Sequence, residues 1–199
     1  MPGYDAISDK EKSIYGTQEP MHWATILPYE LGGTDPLWAV DGFISSAPQH
    51  FHYVTSGFSS LYFNPDLVND KVSGFGFEIT FRHFPFGEDI ERPFWAVNFL
   101  QNIAKYVFKT DNGFDDYQYM SANGPIRAET VTEITAFAFC TDKEMGTINT
   151  PHGAVKFLQL YGLTTNEYNS IRNKEYTVKE LLSEHMIKNP LLITDLNRK

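Results

Sequence analysis

The chain of 199 residues is nearly devoid of cysteine, with Cys140 as its single thiol. A single cysteine excludes an intrachain disulfide and any zinc site built from a cysteine cluster. Cys140 ends the apolar stretch ITAFAFC, which predicts a buried strand. A buried thiol behaves as a small hydrophobic side chain rather than as a nucleophile. We therefore expect a packed Cys140.

Long hydrophobic runs and net positive charge are also missing. No apolar stretch reaches the length of a membrane-spanning helix, and the first residues, MPGYDAISDKEKS, lack the pattern of a signal peptide. We therefore expect a cytoplasmic protein that does not bind membranes. The formal net charge of −9 disfavours nucleic acids and anionic lipids as partners and suits a basic protein.

The motifs of several enzyme classes are absent as well. The stretch SGFGFE lacks the third glycine of a dinucleotide-binding loop, and the chain has no G-x-S-x-G or H-E-x-x-H. Glu78 and Arg82 share one face of a predicted strand, where a structural pairing is favoured over acid–base chemistry. We therefore predict no catalytic residue and no cofactor, although catalytic groups that are far apart in sequence leave no motif.

The histidines allow two interpretations. In QHFHYVTSGFSSLYF, His50 and His52 lie on one face of a predicted strand and could reach one ion. With His83, or with His152 in the turn TPHG, they would form a metal centre, and the chain would be an undetected metal-dependent enzyme. No spacing matches a metal motif. We favour hydrogen bonds across the sheet for His50 and His52, an exposed turn for His152, and no metal ligand.

The order of predicted elements indicates a single α+β domain over residues 1–199, with residues 1–15 as a helical extension that contains a helix over about 5–15. TTNE and TVKE match the capping box and predict two short helices. The predicted strands lie in HWATILPYELGG, LWAVDGFIS, QHFHYVTSGFSSLYF, SGFGFEITFRHF, GFDDYQYMS, TEITAFAFC and GAVKFLQLYGL, the first of them ended by Pro28 and the glycine pair Gly32–Gly33. Strands before and after one main helix predict a mixed or antiparallel central sheet packed by helices.

The clearest strand, SGFGFEITFRHF, alternates an aromatic face with a face that contains Gly74 and Gly76. Two glycines on one face leave space for a close neighbour. The segment RPFWAVNFLQNIAKYVF has apolar residues at helical spacing from Phe94 to Val107, after Pro93. We predict that this main helix packs against the glycine face.

Four stretches together resemble the suppressor of fused family in their order and spacing: HFHYVTSGFSSLYF, SGFGFEITFR, RPFWAVNFLQNIAKYVF and TPHGAVKFLQLYGLT. GGTDPLWAV upstream and LLITDLNRK at the end extend the resemblance from about Tyr15 onward. The resemblance implies the fold of the N-terminal domain of animal suppressor of fused, and protein binding rather than catalysis. The animal protein clamps an extended peptide of Hedgehog-pathway transcription factors between two domains. This chain resembles only the N-terminal one, so that function is not transferred.

Short single-domain members of the family are typical of bacteria. The resemblance then implies an immunity protein that binds and neutralises a cognate toxin; the alternative is a regulatory peptide-binding module outside any toxin system. Two partner-binding positions follow from it: Tyr62 in SSLYF, and Asp70 shortly before SGFGF, although the loop between them is shorter here. A half-buried strand-end aromatic and a turn carboxylate are the structural interpretations of these two residues.

Overall fold

The computed structural model describes residues 1–27, 29–68, 70–87, 89 and 92–199. Its helices are α1 (Pro2–Tyr15), α2 (Trp95–Thr110), α3 (Thr165–Arg172) and α4 (Val178–Lys188). Its strands are β1 (Met21–Ala24), β2 (Ala39–Ser46), β3 (Gln49–Ser56), β4 (Val72–His83), β5 (Tyr119–Ser121), β6 (Ile134–Thr141), β7 (Thr147–Thr150) and β8 (Gly153–Thr164). The predicted α+β class is confirmed.

The strands form one mixed sheet in the order β1-β2-β3-β4-β8-β6-β5, with β7 beside the first part of β8. The central pair β4 and β8 is parallel, and Ile79 lies opposite Leu158 in it. The other neighbouring strands are antiparallel. Strand β8 is twelve residues long, so it pairs with β7 near its start and with β6 further along.

Helix α2 covers the aromatic face of β4, not the glycine face that we predicted. The main hydrophobic cluster joins Phe77, Ile79 and Phe81 of β4 to buried residues of α2 that include Val97 and Leu100. Strand alternation identifies two faces but does not say which one receives the helix. The larger apolar area is on the aromatic face, and its burial decides the packing.

The two glycines of β4 instead lie where the backbone that follows β3 comes close to the strand. Gly74 and Gly76 have φ values of +57° and +83°, and the register with β8 shifts between Val72 and Phe77. A Cβ added to Gly74 would lie 2.5 Å from the carbonyl oxygen of Phe58. The glycines therefore form an irregular strand start that lets the segment after β3 lie against β4.

Helix α1 lies on the opposite face of the sheet. Its buried Ile7 packs with Val54 of β3 and Phe157 of β8. Tyr15 at its end stacks on Phe43 of β2 with ring centroids 4.0 Å apart. Pro2 occupies the first helical turn, where a missing N–H costs nothing, which explains why α1 begins before the predicted start near residue 5.

Both predicted capping boxes are confirmed. The Thr164 hydroxyl accepts from the Glu167 N–H at 3.2 Å, and the Glu167 carboxylate accepts from the Thr164 N–H at 2.7 Å. Thr177 and Glu180 repeat the arrangement at 3.2 and 2.8 Å. Helices α3 and α4 pack on the α1 side of the sheet through a second cluster that contains Ala136, Ala138, Tyr161, Leu163, Ile171, Leu181 and Leu182.

Several element boundaries differ from the prediction. Strand β1 already ends at Ala24, and Pro28, which we expected to end it, lies outside the described residues. Only Tyr119–Ser121 of GFDDYQYMS is a strand. Phe94 precedes α2 and is 51% exposed, so it is not a core residue of that helix. The segment between β6 and β8 contains the unpredicted strand β7.

In the part of the chain that the structure describes, no helix combines the length and hydropathy needed to cross a membrane.

Candidate partner-binding site

Tyr62 lies in the loop after β3 and presents an aromatic ring to solvent. Its exposed fraction is 56%, and that of the adjacent Phe63 is 63%. The Tyr62 ring meets Trp38 edge to face, with centroids 5.9 Å apart and planes at 80°. Adjacent exposed aromatic side chains contribute to an apolar surface patch, and large patches of this kind mark binding sites.

Beside Tyr62 is an open cavity of about 520 Å³ with mainly aromatic and aliphatic walls. Its lining includes Leu37, Trp38, Leu61, Tyr62, Leu67, Phe75 and Phe108. Asp35 and Asp111 also line it. The volume is in the range of ligand pockets, roughly 300–1,000 Å³.

The structure does not place the two predicted binding residues together in this cavity. Tyr62 lines it, whereas Asp70 is not among the described residues that do. Asp70 is exposed, and its N–H donates to the carbonyl of Leu67 at 3.3 Å. Its neighbour Asn69 lies outside the described residues.

Buried Glu78 fixes the chain that leads to Tyr62. Its carboxylate accepts from the hydroxyls of Thr55 and Ser59 at 2.7 and 2.6 Å, and from the amides of Gly57 and Ser59 at 3.0 and 2.9 Å. Burial raises the pKa of Glu78, and these hydrogen bonds oppose that rise. Glu78 therefore positions the loop and does not pair with Arg82, contrary to our expectation.

His152 is a second anchor of the loop that carries Tyr62. It is completely buried, and its Nε2 accepts from the Asn64 N–H at 3.0 Å. The predicted turn at TPHG is present, but the expectation that His152 is exposed in it is wrong. The bonded groups are separated by 88 positions in the sequence, so no local pattern could show the contact.

His50 and His52 are buried, with exposed fractions of 1% and 0%. The Nδ1 of His50 donates locally to the carbonyl of Pro48 at 2.7 Å, not across the sheet. The Nδ1 of His52 lies 2.5 Å from the Tyr15 hydroxyl, and its Nε2 lies 3.4 Å from an oxygen of Asp142. Burial lowers the pKa of His52 to about 4, so the ring is neutral near pH 7. The described residues include no group of three or more His, Cys, Asp or Glu side chains that could hold a metal ion.

Asp142 is the centre of the hydrogen bonds on this face. It accepts from the Thr80 hydroxyl at 2.7 Å, from the Arg82 guanidinium at 3.1 Å, and from the amides of Glu144 and Met145 at 2.8 and 2.9 Å. Burial alone would raise the pKa of Asp142, but contacts with His52 and Arg82 outweigh it and hold the pKa well below its usual range. Because Arg82 and Asp142 are both inaccessible, the cluster is built for structure and not for contact with a substrate.

These features define a class of protein: an α+β domain whose candidate site is an open aromatic surface bordered by carboxylates and held by buried polar anchors. The family model of suppressor of fused protein (SUFU) matches residues 33–199. The chain belongs to the suppressor of fused family.

Known relatives agree with this assignment. The chain is 32% identical over 209 residues to human suppressor of fused homolog, an alignment that covers 98% of this chain and 43% of the human protein. The chain thus spans less than half the length of that curated relative. A Sufu solved in a Sufu–Fu complex is similar over 100% of this chain and 91% of its own, with 27% identity and a TM-score of 0.88.

A SUFU homologue from Neisseria gonorrhoeae shares the fold, with a TM-score of 0.70 at 15% identity over 99% of this chain and 95% of its own. The predicted family resemblance and fold class are confirmed. The Sufu of the first structure is in a complex with Fu.

Proposed function

We propose that the chain is a non-catalytic protein-binding domain of bacterial immunity type, which binds a cognate toxin domain and neutralises it. The observation that carries the proposal is the exposed Tyr62 beside an aromatic cavity of about 520 Å³. A large aromatic ring next to a pre-formed concave surface is the usual anatomy of an interface anchor. The known complex of a relative with Fu supports a protein as the ligand.

The charge around the cavity indicates the chemistry of the partner. Asp35 and Asp111 border the cavity, and the exposed Asp66 and Asp70 lie on the loop that follows Tyr62. Of these carboxylates, Asp35 is paired with Lys105 at 2.8 Å. Together with a net charge of −9, this surface favours a partner segment with an apolar anchor and flanking basic side chains.

The loop is prepared for binding before the partner arrives. Glu78 and His152 fix the segments on both sides of Tyr62. A loop that is already ordered loses less conformational entropy on association, so more of the contact energy is available as affinity.

The first test measures affinity for toxin-like proteins encoded beside this chain's gene. Tyr62→Ala should weaken the complex by about 1–3 kcal/mol, as expected for an aromatic anchor. Tyr119→Ala is the matched control, because Tyr119 is also exposed and meets Tyr168 edge to face at 5.8 Å. Asp70→Asn should act mainly on the association rate, and the rate should fall as salt rises.

Growth is the second readout. Cells that make the toxin should survive with the natural chain or with Tyr119→Ala, and should die with Tyr62→Ala although that variant is folded. Equal affinities of Tyr62→Ala and Tyr119→Ala would refute the proposed surface. Binding through Tyr62 without any effect on survival would instead establish a regulatory peptide-binding module.

A further inference from the structure

A second cavity, of about 500 Å³, lies between α1, the turn over residues 16–20 and strand β2. Two nearly inaccessible carboxyl groups line it, Glu11 with an exposed fraction of 3% and Asp41 with 1%. Tyr4 and Phe43 add aromatic walls. Glu11 and Tyr4 both project from α1, seven positions apart, and therefore lie on one side of that helix.

Glu11 is the unusual member of the pair. Its Oε1 is buried and has no hydrogen-bond partner among the described residues. Burial raises the pKa of Glu11 to about 9, and the negative charge of Asp41 adds to the rise. At neutral pH the native protein therefore holds Glu11 as a protonated carboxyl group.

Asp41 is held in place by two side chains. One of its oxygens accepts from the Tyr4 hydroxyl at 3.3 Å, and the other lies 2.6 Å from Nδ1 of His22. The other charged or titratable groups around the pair are Lys12 and Tyr15 of α1, Glu19 of the turn and Glu78 of β4. Lys12 points largely to solvent, with 69% of its side chain exposed.

A buried carboxyl oxygen without a hydrogen-bond partner lowers the stability of the protein. A positively charged hydrogen-bond donor that binds to this oxygen reduces that loss. A guanidinium group suits this cavity because its planar fork of N–H donors can reach two carboxylates, while its faces stack on aromatic rings. The described residues contain no cluster that could hold a metal ion, so an organic cation fits better than a metal.

We propose that the cavity between α1 and β2 binds a guanidinium group, held between Glu11 and Asp41. The group belongs either to a free small molecule or to an arginine side chain of a protein partner. The site is separate from the Tyr62 surface and does not depend on the proposed function.

Isothermal titration calorimetry with two probes tests the site: methylguanidinium for a free cation, and N-acetyl-arginine amide for an arginine side chain. Each should bind at one saturable site at neutral pH. Because binding favours the ionised Glu11, protons should be released, and titrations in two buffers of different ionisation enthalpy will count them. Guanidinium stays charged at every pH used, so the released protons come from the protein.

Glu11→Gln keeps the shape of the side chain and should lower affinity at least about tenfold, with loss of the proton release. Asp41→Asn should have a similar effect on affinity. The control Glu175→Gln makes the same substitution at an exposed position away from the cavity and should change affinity by about twofold at most. Unfolding curves will show that Glu11→Gln is folded, which keeps that variant informative.

The two probes also identify the source of the group. Tighter binding of N-acetyl-arginine amide assigns the cavity to an arginine side chain, and tighter binding of methylguanidinium assigns it to a free cation. The proposal is overturned if neither probe saturates, or if Glu11→Gln binds as well as the natural chain.

Discussion

The two faces of the central sheet bury opposite kinds of side chain, although a single strand supplies both. On the α2 side, β4 contributes Phe77 and Phe81 to a hydrophobic cluster; on the α1 side it contributes Glu78 and Arg82, both inaccessible. The first face is stabilised by apolar area removed from water, which is not directional. The second depends on matched donors and acceptors, so a single lost partner leaves a buried charge.

The largest effect should come from the centre of the polar face. Asp142→Asn removes the buried one of the two carboxylates paired with Arg82, the other being the partly exposed Glu144 at 3.0 Å, and should lower the free energy of unfolding by about 3 kcal/mol. Urea denaturation near pH 7 measures the loss. Asp116→Asn is the control, because Asp116 forms a partly exposed ion pair with Lys156 at 3.2 Å and should cost about 1 kcal/mol or less. Equal losses would show that the polar face is no more demanding than the surface.

A substitution that creates a void in the apolar face should lower the free energy of unfolding by a comparable or smaller amount, and this loss should not depend on pH. Leu100 of α2 is completely buried, and Leu100→Ala should cost about 2–5 kcal/mol through lost burial and the void that remains. No titratable group changes, so the loss should be the same at pH 5.5 and pH 8. The exposed control Lys109→Ala should stay within about 0.5 kcal/mol. A loss that varied with pH would contradict the separation of the two faces.

The smallest effect, when it is compared over a single pH unit, is a slope of stability against pH. The pKa of Glu11 is raised from 4.5 to about 9 in the folded protein, so the native state keeps a proton that the unfolded chain releases. Its contribution is complete below pH 4.5 and is lost as pH rises towards 9. Glu11→Gln should therefore become more stable relative to the natural chain with rising pH, by up to about 1.4 kcal/mol per pH unit.

The free energies of unfolding of Glu11→Gln and of the natural chain are measured between pH 5 and 8, and their difference gives this slope. Buried His52 contributes an opposite slope, which cancels in the difference because both chains contain it. Glu19→Gln, at an exposed position, should run parallel to the natural chain. A difference between Glu11→Gln and the natural chain that did not change with pH would mean that Glu11 is charged in the folded state.

The apolar half of the fold was predictable from the sequence and the polar half was not. Alternation along β4, helical spacing in α2 and the capping boxes at Thr164 and Thr177 are local patterns, and the structure confirms the elements that they predict. The assignment of α2 to the glycine face failed because alternation does not say which face receives the helix. The residue that approaches Gly74 is Phe58, which lies outside the strand.

The polar contacts link groups that are distant in sequence. Arg82 and Asp142 are 60 positions apart, and Asn64 and His152 are 88 apart, so neither pair has a local signature. Tyr62 came from the family resemblance, and the structure adds what no pattern contained, the cavity beside it.

The parallel pairing of β4 with β8 at the centre of the sheet has a consequence for how the chain folds. Residues 84–152, with α2 and three other strands, separate the two central strands. The ends of this long segment must meet before the centre forms, and non-local closure of this kind slows folding. During synthesis, the edge of β4 therefore stays unpaired until β8 has left the ribosome. This edge is the part of the nascent chain that a chaperone would protect most usefully.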